Sequence, residues 1–243
     1  MSKKRSGSQK RQSRPTMAEI QRDVMAEPRH HVKHKKAPPL SAKSEMQGLY
    51  ISTILHHDIT FGLGPAGTGK TYVSTVMACE ALEVGEIEKI VLTRPAVDTE
   101  SFGALPGELD EKYAPYIAPF EDIFIKQFGK GKYEYLLKSK KIVAEPLAFM
   151  RGKTYENAWV LLDEAQNTTV TQMKMALTRI GEGSKMIISG DMAQNDLPRH
   201  IPSGLNDAVE RLEKLPEIGI TTFEKEDVVR HGLISKILTQ YGE

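Results

Sequence analysis

From Leu40 onward, short apolar runs alternate with stretches in which apolar residues recur at helical spacing. Runs rich in Ile, Val and Leu that are apolar throughout mark strands buried on both faces, and a 3.6-residue period marks amphipathic helices. The pattern predicts a helix over Met46–His56, a strand at Ile59–Leu63, a helix over Thr71–Glu83 ended by Gly85, and a strand at Lys89–Arg94. Further strands are predicted at Ile142–Ala144, Trp159–Leu162, Met186–Ser189 and Ile220–Glu224. Helices are predicted over Ala118–Phe128, Thr169–Ile180, 205–213 and His231–Tyr241. Met173 and Leu177 fall at helical spacing and read as core. Strand and helix in alternation, without an internal repeat, predict an α/β fold: a parallel sheet with helices on both faces. In open sheets of this kind, ligands bind at the carboxyl ends of the strands.

Two regions break the pattern. Residues 95–140 read as a long, irregular insertion that carries Phe102-Gly103-Ala104-Leu105-Pro106-Gly107. A stretch of that length inside a compact domain is often functional. Residues 1–39 lack periodicity and read as a basic, mostly disordered tail whose one candidate element is a short helix around Met17–Met25. Pro38-Pro39 punctuates the chain, so the folded domain is expected to occupy residues 40–243.

Charge sharpens this division. Residues 1–36 hold 11 Lys/Arg against 3 Asp/Glu, and the remainder holds 22 against 29, so a +8 tail precedes a −7 body. Two readings of the tail stand: an arm that contacts nucleic-acid phosphates in a salt-dependent way, or a solubilising segment. His30, His31 and His34 lack the surrounding ligand pattern of a metal site. The single cysteine, Cys79, allows neither an internal disulfide nor a cysteine zinc cluster and reads as a small core residue. No apolar run approaches the ~20 residues that span a bilayer, and the N-terminus has no apolar signal region. A protein of the reducing cytoplasm, without a membrane partner, is expected.

The strongest chemical signal is Gly64-Pro65-Ala66-Gly67-Thr68-Gly69-Lys70-Thr71, which fits the phosphate-binding P-loop pattern. It follows a predicted strand and opens a predicted helix, the context the pattern needs. Small residues let backbone N–H groups close around phosphate oxygens, and the helix N-terminus adds positive potential. Lys70 suits the β- and γ-phosphates, and the Thr71 hydroxyl suits Mg²⁺.

The apolar run Ala158–Leu162 ends in Asp163-Glu164. Asp163 at a strand tip is the expected partner of Thr71 in holding Mg²⁺. Glu164 beside it can polarise a water as general base. Gly190-Asp191-Met192-Ala193-Gln194 follows the next strand and would aim Gln194 at the γ-phosphate side; an ordinary turn is the competing reading. Arg230, in Asp227-Val228-Val229-Arg230-His231, is a candidate for stabilising transition-state charge, and Arg179 is a second. Favourable charge at a helix C-terminus explains Arg179 equally well. Thr93-Arg94-Pro95 and Arg151-Gly152-Lys153-Thr154 are basic turns that suit either a nucleic-acid backbone or solvent.

These pieces together resemble the PhoH-like family of ATPases. The matching segments are Gly64–Thr71, Thr93-Arg94-Pro95-Ala96-Val97, Leu105-Pro106-Gly107, Asp163-Glu164-Ala165-Gln166-Asn167, Leu177-Thr178-Arg179, Gly190-Asp191 with Gln194, and Asp227–His231, in order along roughly residues 40–241. The resemblance implies a RecA-type motor domain like those of superfamily 1 helicases, with ATP and Mg²⁺ as cofactors. It implies that Gln47 reads the adenine edge and that RNA or single-stranded DNA is the partner. A motor of this kind closes its site with an arginine from a second RecA-like domain, and this chain has room for one domain. A homo-oligomer is therefore expected, with a hexameric ring implied by the family and Arg230 or Arg179 acting in trans. Three functions remain open at this point: a nucleic-acid motor, an ATP-driven switch without unwinding, and a small-molecule kinase. A water-activating Glu164 speaks against the kinase.

Overall fold

A computed structural model describes residues 37–95 and 109–229. The basic tail, Leu105-Pro106-Gly107, Arg230 and the expected closing helix lie outside the described residues.

Six parallel strands form one sheet: β1 (Ile59–Leu63), β2 (Lys89–Thr93), β3 (Ile142–Ala144), β4 (Ala158–Leu162), β5 (Lys185–Gly190) and β6 (Ile218–Thr222), in the order β3-β2-β4-β5-β1-β6. β5 therefore stands between the P-loop strand and β4, whose tip leads into Asp163. Register aligns the strand tips, with Leu63 opposite Gly190 and Thr222, and Thr93 opposite Leu162.

Side chains alternate across the sheet as the pleat requires. Ile90, Leu92, Trp159 and Leu161 enter one core with helices α1 (Glu45–His56), α2 (Lys70–Val84), α3 (Leu109–Phe128) and α4 (Lys130–Lys138). Phe61, Val91, Val160 and Leu162 enter a second core on the opposite face with α5 (Val170–Leu177), α6 (Gly204–Leu212) and the 3₁₀ turn Leu147–Met150. Helices on both faces are thus borne out. Cys79 is buried in the first core, and burial pushes its thiol pKa up. Gly62 is required where Tyr50 crosses β1, because an added Cβ would meet the Tyr50 ring at 2.8 Å.

Within the stretch read as irregular over 95–140, the helix expected over Ala118–Phe128 is present but begins at Leu109, and α4, which was not expected, follows it. Phe120, Ile123, Phe124 and Phe128 form a helical stripe that α3 buries. Gly129, at φ 76°, turns the chain so that Tyr133 of α4 stacks on Phe124 with ring centroids 5.8 Å apart. α4 is rich in charge and buries only Tyr133 and Leu136, so packing rather than its own sequence fixes it.

Smaller shifts also have local causes. α5 begins with a capping box between Thr169 and Gln172. It stops at Leu177 instead of Ile180 because the backbone beyond it bonds elsewhere: Tyr155 N–H donates to Arg179 O at 2.9 Å, and Gly181 N–H to Tyr155 O at 2.7 Å. β2 ends at Thr93, ahead of Arg94 and the N–H-less Pro95. β6 starts at Ile218, two residues early, in register with Ile59. Among the described residues no helix is long and apolar enough to cross a membrane.

Candidate functional site: a P-loop cavity at the strand tips

The loop after β1 turns sharply through Gly64, Gly67 and Gly69, at φ 125°, 88° and 90°. A side chain at Gly64 would run into the Phe223 carbonyl, and one at Gly69 would meet Gln47 Nε2 at 2.7 Å. These positions accept only glycine without strain. The loop opens α2, whose first N–H groups lack helical partners. Its walls and those of the neighbouring tips enclose a cavity of about 280 Å³ that Gly64, Ala66, Gly67, Gly69, Lys70 and Thr71 line on one side.

Lys70 is buried, and its ammonium donates to Gly64 O at 2.7 Å, Pro65 O at 2.8 Å and Thr68 Oγ1 at 3.2 Å. The cation is thereby held inside the curl where phosphate oxygens would lie. Gln47 supports the loop from behind. Its Nε2 donates to Thr68 O at 2.8 Å, and its Oε1 accepts from Lys43 N–H at 2.9 Å. The structure thus finds Gln47 buried and bonded to the loop backbone.

Across the cavity, Thr71 Oγ1 donates to Asp163 Oδ1 at 3.2 Å, joining residues 92 positions apart. Burial raises the Asp163 pKa; Arg94 opposes that rise, neighbouring Glu164 adds to it, and the Thr71 bond opposes it. Glu164 takes the left-handed region, at φ 53°, which is uncommon for a residue with a side chain. This bend turns the chain off the strand and leaves the Glu164 side chain 48% exposed while that of Asp163 is 12% exposed. Two adjacent carboxylates therefore meet two different environments.

Both are held by groups from neighbouring tips. Arg94 Nη2 lies 2.9 Å from Glu164 Oε1 and 3.6 Å from Asp163 Oδ2. Gln166 Nε2 donates to Glu164 Oε2 at 2.7 Å, and Gln166 Oε1 accepts from Asp191 N–H at 3.1 Å. Gln194 follows on the same loop and lines the cavity with Asp191.

Lys70, Thr71, Asp163, Glu164 and Gln194 are thus brought together. Arg179 is not among the residues lining this cavity. Its guanidinium bonds Met175 O, Lys153 O and Thr178 Oγ1, at 3.1, 3.0 and 3.0 Å. Val229, the last described residue before Arg230, donates its N–H to Gly67 O at 3.0 Å.

Sequence reasoning missed Gln166, which links the β4 and β5 tips, and the carboxylate partners of Arg94. Gln166 stood in the matching segment Asp163-Glu164-Ala165-Gln166-Asn167 without a role of its own.

The donor set fits Mg²⁺. Thr71 and Asp163 offer hard oxygen ligands, and Mg²⁺ is usually held by one or two protein groups with waters and phosphate oxygens completing the shell. No cluster of three or more His, Cys, Asp or Glu among the described residues offers an all-protein cage instead.

The PhoH-like protein of Bacillus subtilis (strain 168) is 48% identical over 212 residues, which cover 87% of this chain and 66% of that protein. Protein PhoH of Escherichia coli (strain K12) is 44% identical over 207 residues, covering 84% of this chain and 58% of that protein. The chain therefore spans 58% to 66% of the length of these relatives. The crystal structure of the Pif1 helicase from Candida albicans overlays loosely, with a TM-score of 0.41 and 13% identity over 82% of this chain and 44% of that one; the overlay adds nothing to the assignment. The family described as PhoH-like protein matches residues 39–242. That match takes in the P-loop, both acids and every strand tip that faces the cavity, and by it the chain belongs to the PhoH-like family.

Proposed function

We propose that the chain binds ATP with Mg²⁺ in the P-loop cavity, hydrolyses it, and couples turnover to binding or remodelling of RNA or single-stranded DNA. The observation that carries the reading is the Thr71–Asp163 hydrogen bond, which joins the P-loop to the acidic strand tip across one cavity. The loop N–H groups and Lys70 hold the triphosphate. Thr71 and Asp163 hold Mg²⁺, which screens phosphate charge when bound. Glu164, more exposed than Asp163, orients and deprotonates the attacking water, a contribution of about 10²–10⁴ in rate. Gln194 hydrogen-bonds on the γ-phosphate side. A base aimed at water favours hydrolysis over transfer to a small molecule.

Coupling to nucleic acid is supported by the +8 tail and by part-exposed Arg94 and exposed Lys153 near the strand tips. A homo-oligomer, with a hexameric ring as the leading case, completes the site with Arg230 or Arg179 of a neighbouring subunit. Arg179, which does not line the cavity of its own chain, suits such a shared role. The test is ATP turnover with and without RNA or single-stranded DNA over a range of salt. Turnover that rises with nucleic acid and loses the rise at high salt is expected. Turnover indifferent to both polymers would leave an ATP-driven switch, and absence of turnover would overturn the hydrolase reading.

A further inference from the structure

Arg94 is not used by the chemistry above, yet it touches both acids. We infer that Arg94 is a positioning residue that withholds Glu164 from the attacking water until the phosphate backbone of a single-stranded nucleic acid draws its guanidinium away. The inference rests on the proposed reading of the cavity and names how that site is regulated.

Glu164 has both carboxylate oxygens engaged, Oε1 by Arg94 at 2.9 Å and Oε2 by Gln166 at 2.7 Å. A general base needs an oxygen within hydrogen-bond reach of the water proton it accepts. A guanidinium on Oε1 competes for that position. The backbone offers little relief, because Glu164 is held in the left-handed bend and Asp163 is tied by its N–H to Thr93 O at 3.0 Å. Motion is left to the side chains.

The restraint is weak enough to be reversible. Arg94 is 25% exposed and Glu164 48% exposed, and ion pairs at such exposure contribute little to stability. Asp163 is the second anion near Arg94, at 3.6 Å. A divalent cation bound by Asp163 and Thr71 would neutralise that anion and loosen Arg94 further, so a loaded site is the one poised for release.

The neighbouring strand tip indicates what Arg94 moves to. Glu145 follows β3, its N–H bonded to Leu92 O beside the tip of β2. It pairs with Lys153 Nζ at 2.7 Å, and Lys153 is 46% exposed, next to exposed Arg151. Adjacent tips therefore each hold a cation against a carboxylate, part-buried Arg94 at one and exposed Lys153 at the other. A row of this kind suits a chain of phosphates, to which arginine binds through two parallel hydrogen bonds. A phosphate taken by Arg94 leaves Oε1 of Glu164 open to water. A signal at the β2–β3 edge thereby reaches the hydrolytic base, and Gln166 extends the connection to Asp191 on the loop that carries Gln194.

The test uses the full chain with Arg94→Ala and Arg94→Lys, and reads ATP turnover without nucleic acid, turnover with oligo(dT) or poly(U), and affinity for a fluorescent ATP analogue. Arg94→Ala is expected to raise turnover without nucleic acid about fivefold, the equivalent of an exposed ion pair of ~1 kcal/mol. Its stimulation ratio should fall toward one, with analogue affinity unchanged. Arg94→Lys, which keeps the charge but not the fork, should fall between it and wild type. A wild-type basal rate and ratio in Arg94→Ala would overturn the proposal. So would equal loss of both rates, which would make Arg94 a direct contact of the reacting nucleotide. Wild-type protein that neither polymer stimulates would overturn the trigger together with the proposed coupling. The restraint is read separately from the basal rate of Arg94→Ala, and Arg94→Lys covers the case in which the alanine variant fails to fold.

Discussion

Asp163 and Glu164 are adjacent and of one chemical kind, yet their surroundings divide the work. Asp163 is buried and bonded to Thr71, whereas Glu164 leaves the strand in a left-handed bend and is half exposed. Glu164→Gln keeps the shape and the Gln166 contact, so it should retain nucleotide binding and lower turnover by about 10²–10⁴. Lys70→Ala removes charge-assisted bonds to phosphate and should weaken nucleotide binding about 10-fold to 100-fold while abolishing turnover. Equilibrium binding of a fluorescent analogue beside steady-state turnover separates the two, and equal loss of binding in both variants would contradict the roles given. At this scale the sequence was legible where chemistry is local. Gly64–Thr71 and Asp163-Glu164 carry their function in consecutive residues. Arg94, Gln47 and Gln166 were not legible in the same way. Arg94 meets Glu164 across 70 residues and Gln47 meets Thr68 across 21, so only the folded sheet brings their partners to them.

Elements followed the sequence where burial alone sets their period. β1 and β4 were readable because both faces of the sheet are covered and their residues are apolar almost without interruption. α4 was missed because its helix depends on packing against Phe124. The end of α5 was misplaced because the segment before β4 claims its last backbone groups. The start of α5 is different, since Thr169 and Gln172 cap it from within. Thr169→Ala removes that box and should lower stability by about 0.5–2 kcal/mol in urea unfolding. Because Thr169 shortly follows the acidic tip, turnover measured well below the unfolding midpoint should change less than stability; a larger loss of turnover would give the cap a part in holding Glu164.

For the whole molecule, the order β3-β2-β4-β5-β1-β6 places β2, β4, β5 and β1 side by side, so four consecutive tips bring Arg94, Asp163, Asp191 and the P-loop to one edge. Arg179 lies apart from that cavity, and Arg230 follows a residue tied to Gly67. Whether an arginine is lent between copies is a property of the assembly. Of Arg179→Ala and Arg230→Ala, the variant that loses turnover should regain it on mixing with inactive Lys70→Ala protein, and so identify the shared arginine. No restoration in either, with sedimentation giving an active monomer, would confine the site to a single chain.

Trp159 is the only tryptophan of the chain, and it lies in the first core on β4, the strand that leads into Asp163. That placement gives the protein an internal optical gauge. The indole is packed below the sheet's working edge, so its emission follows the integrity of the core while remaining blind to which groups occupy the tips. A variant that keeps the buried emission and loses turnover has lost chemistry, and one whose emission moves toward that of a solvated indole has lost its fold.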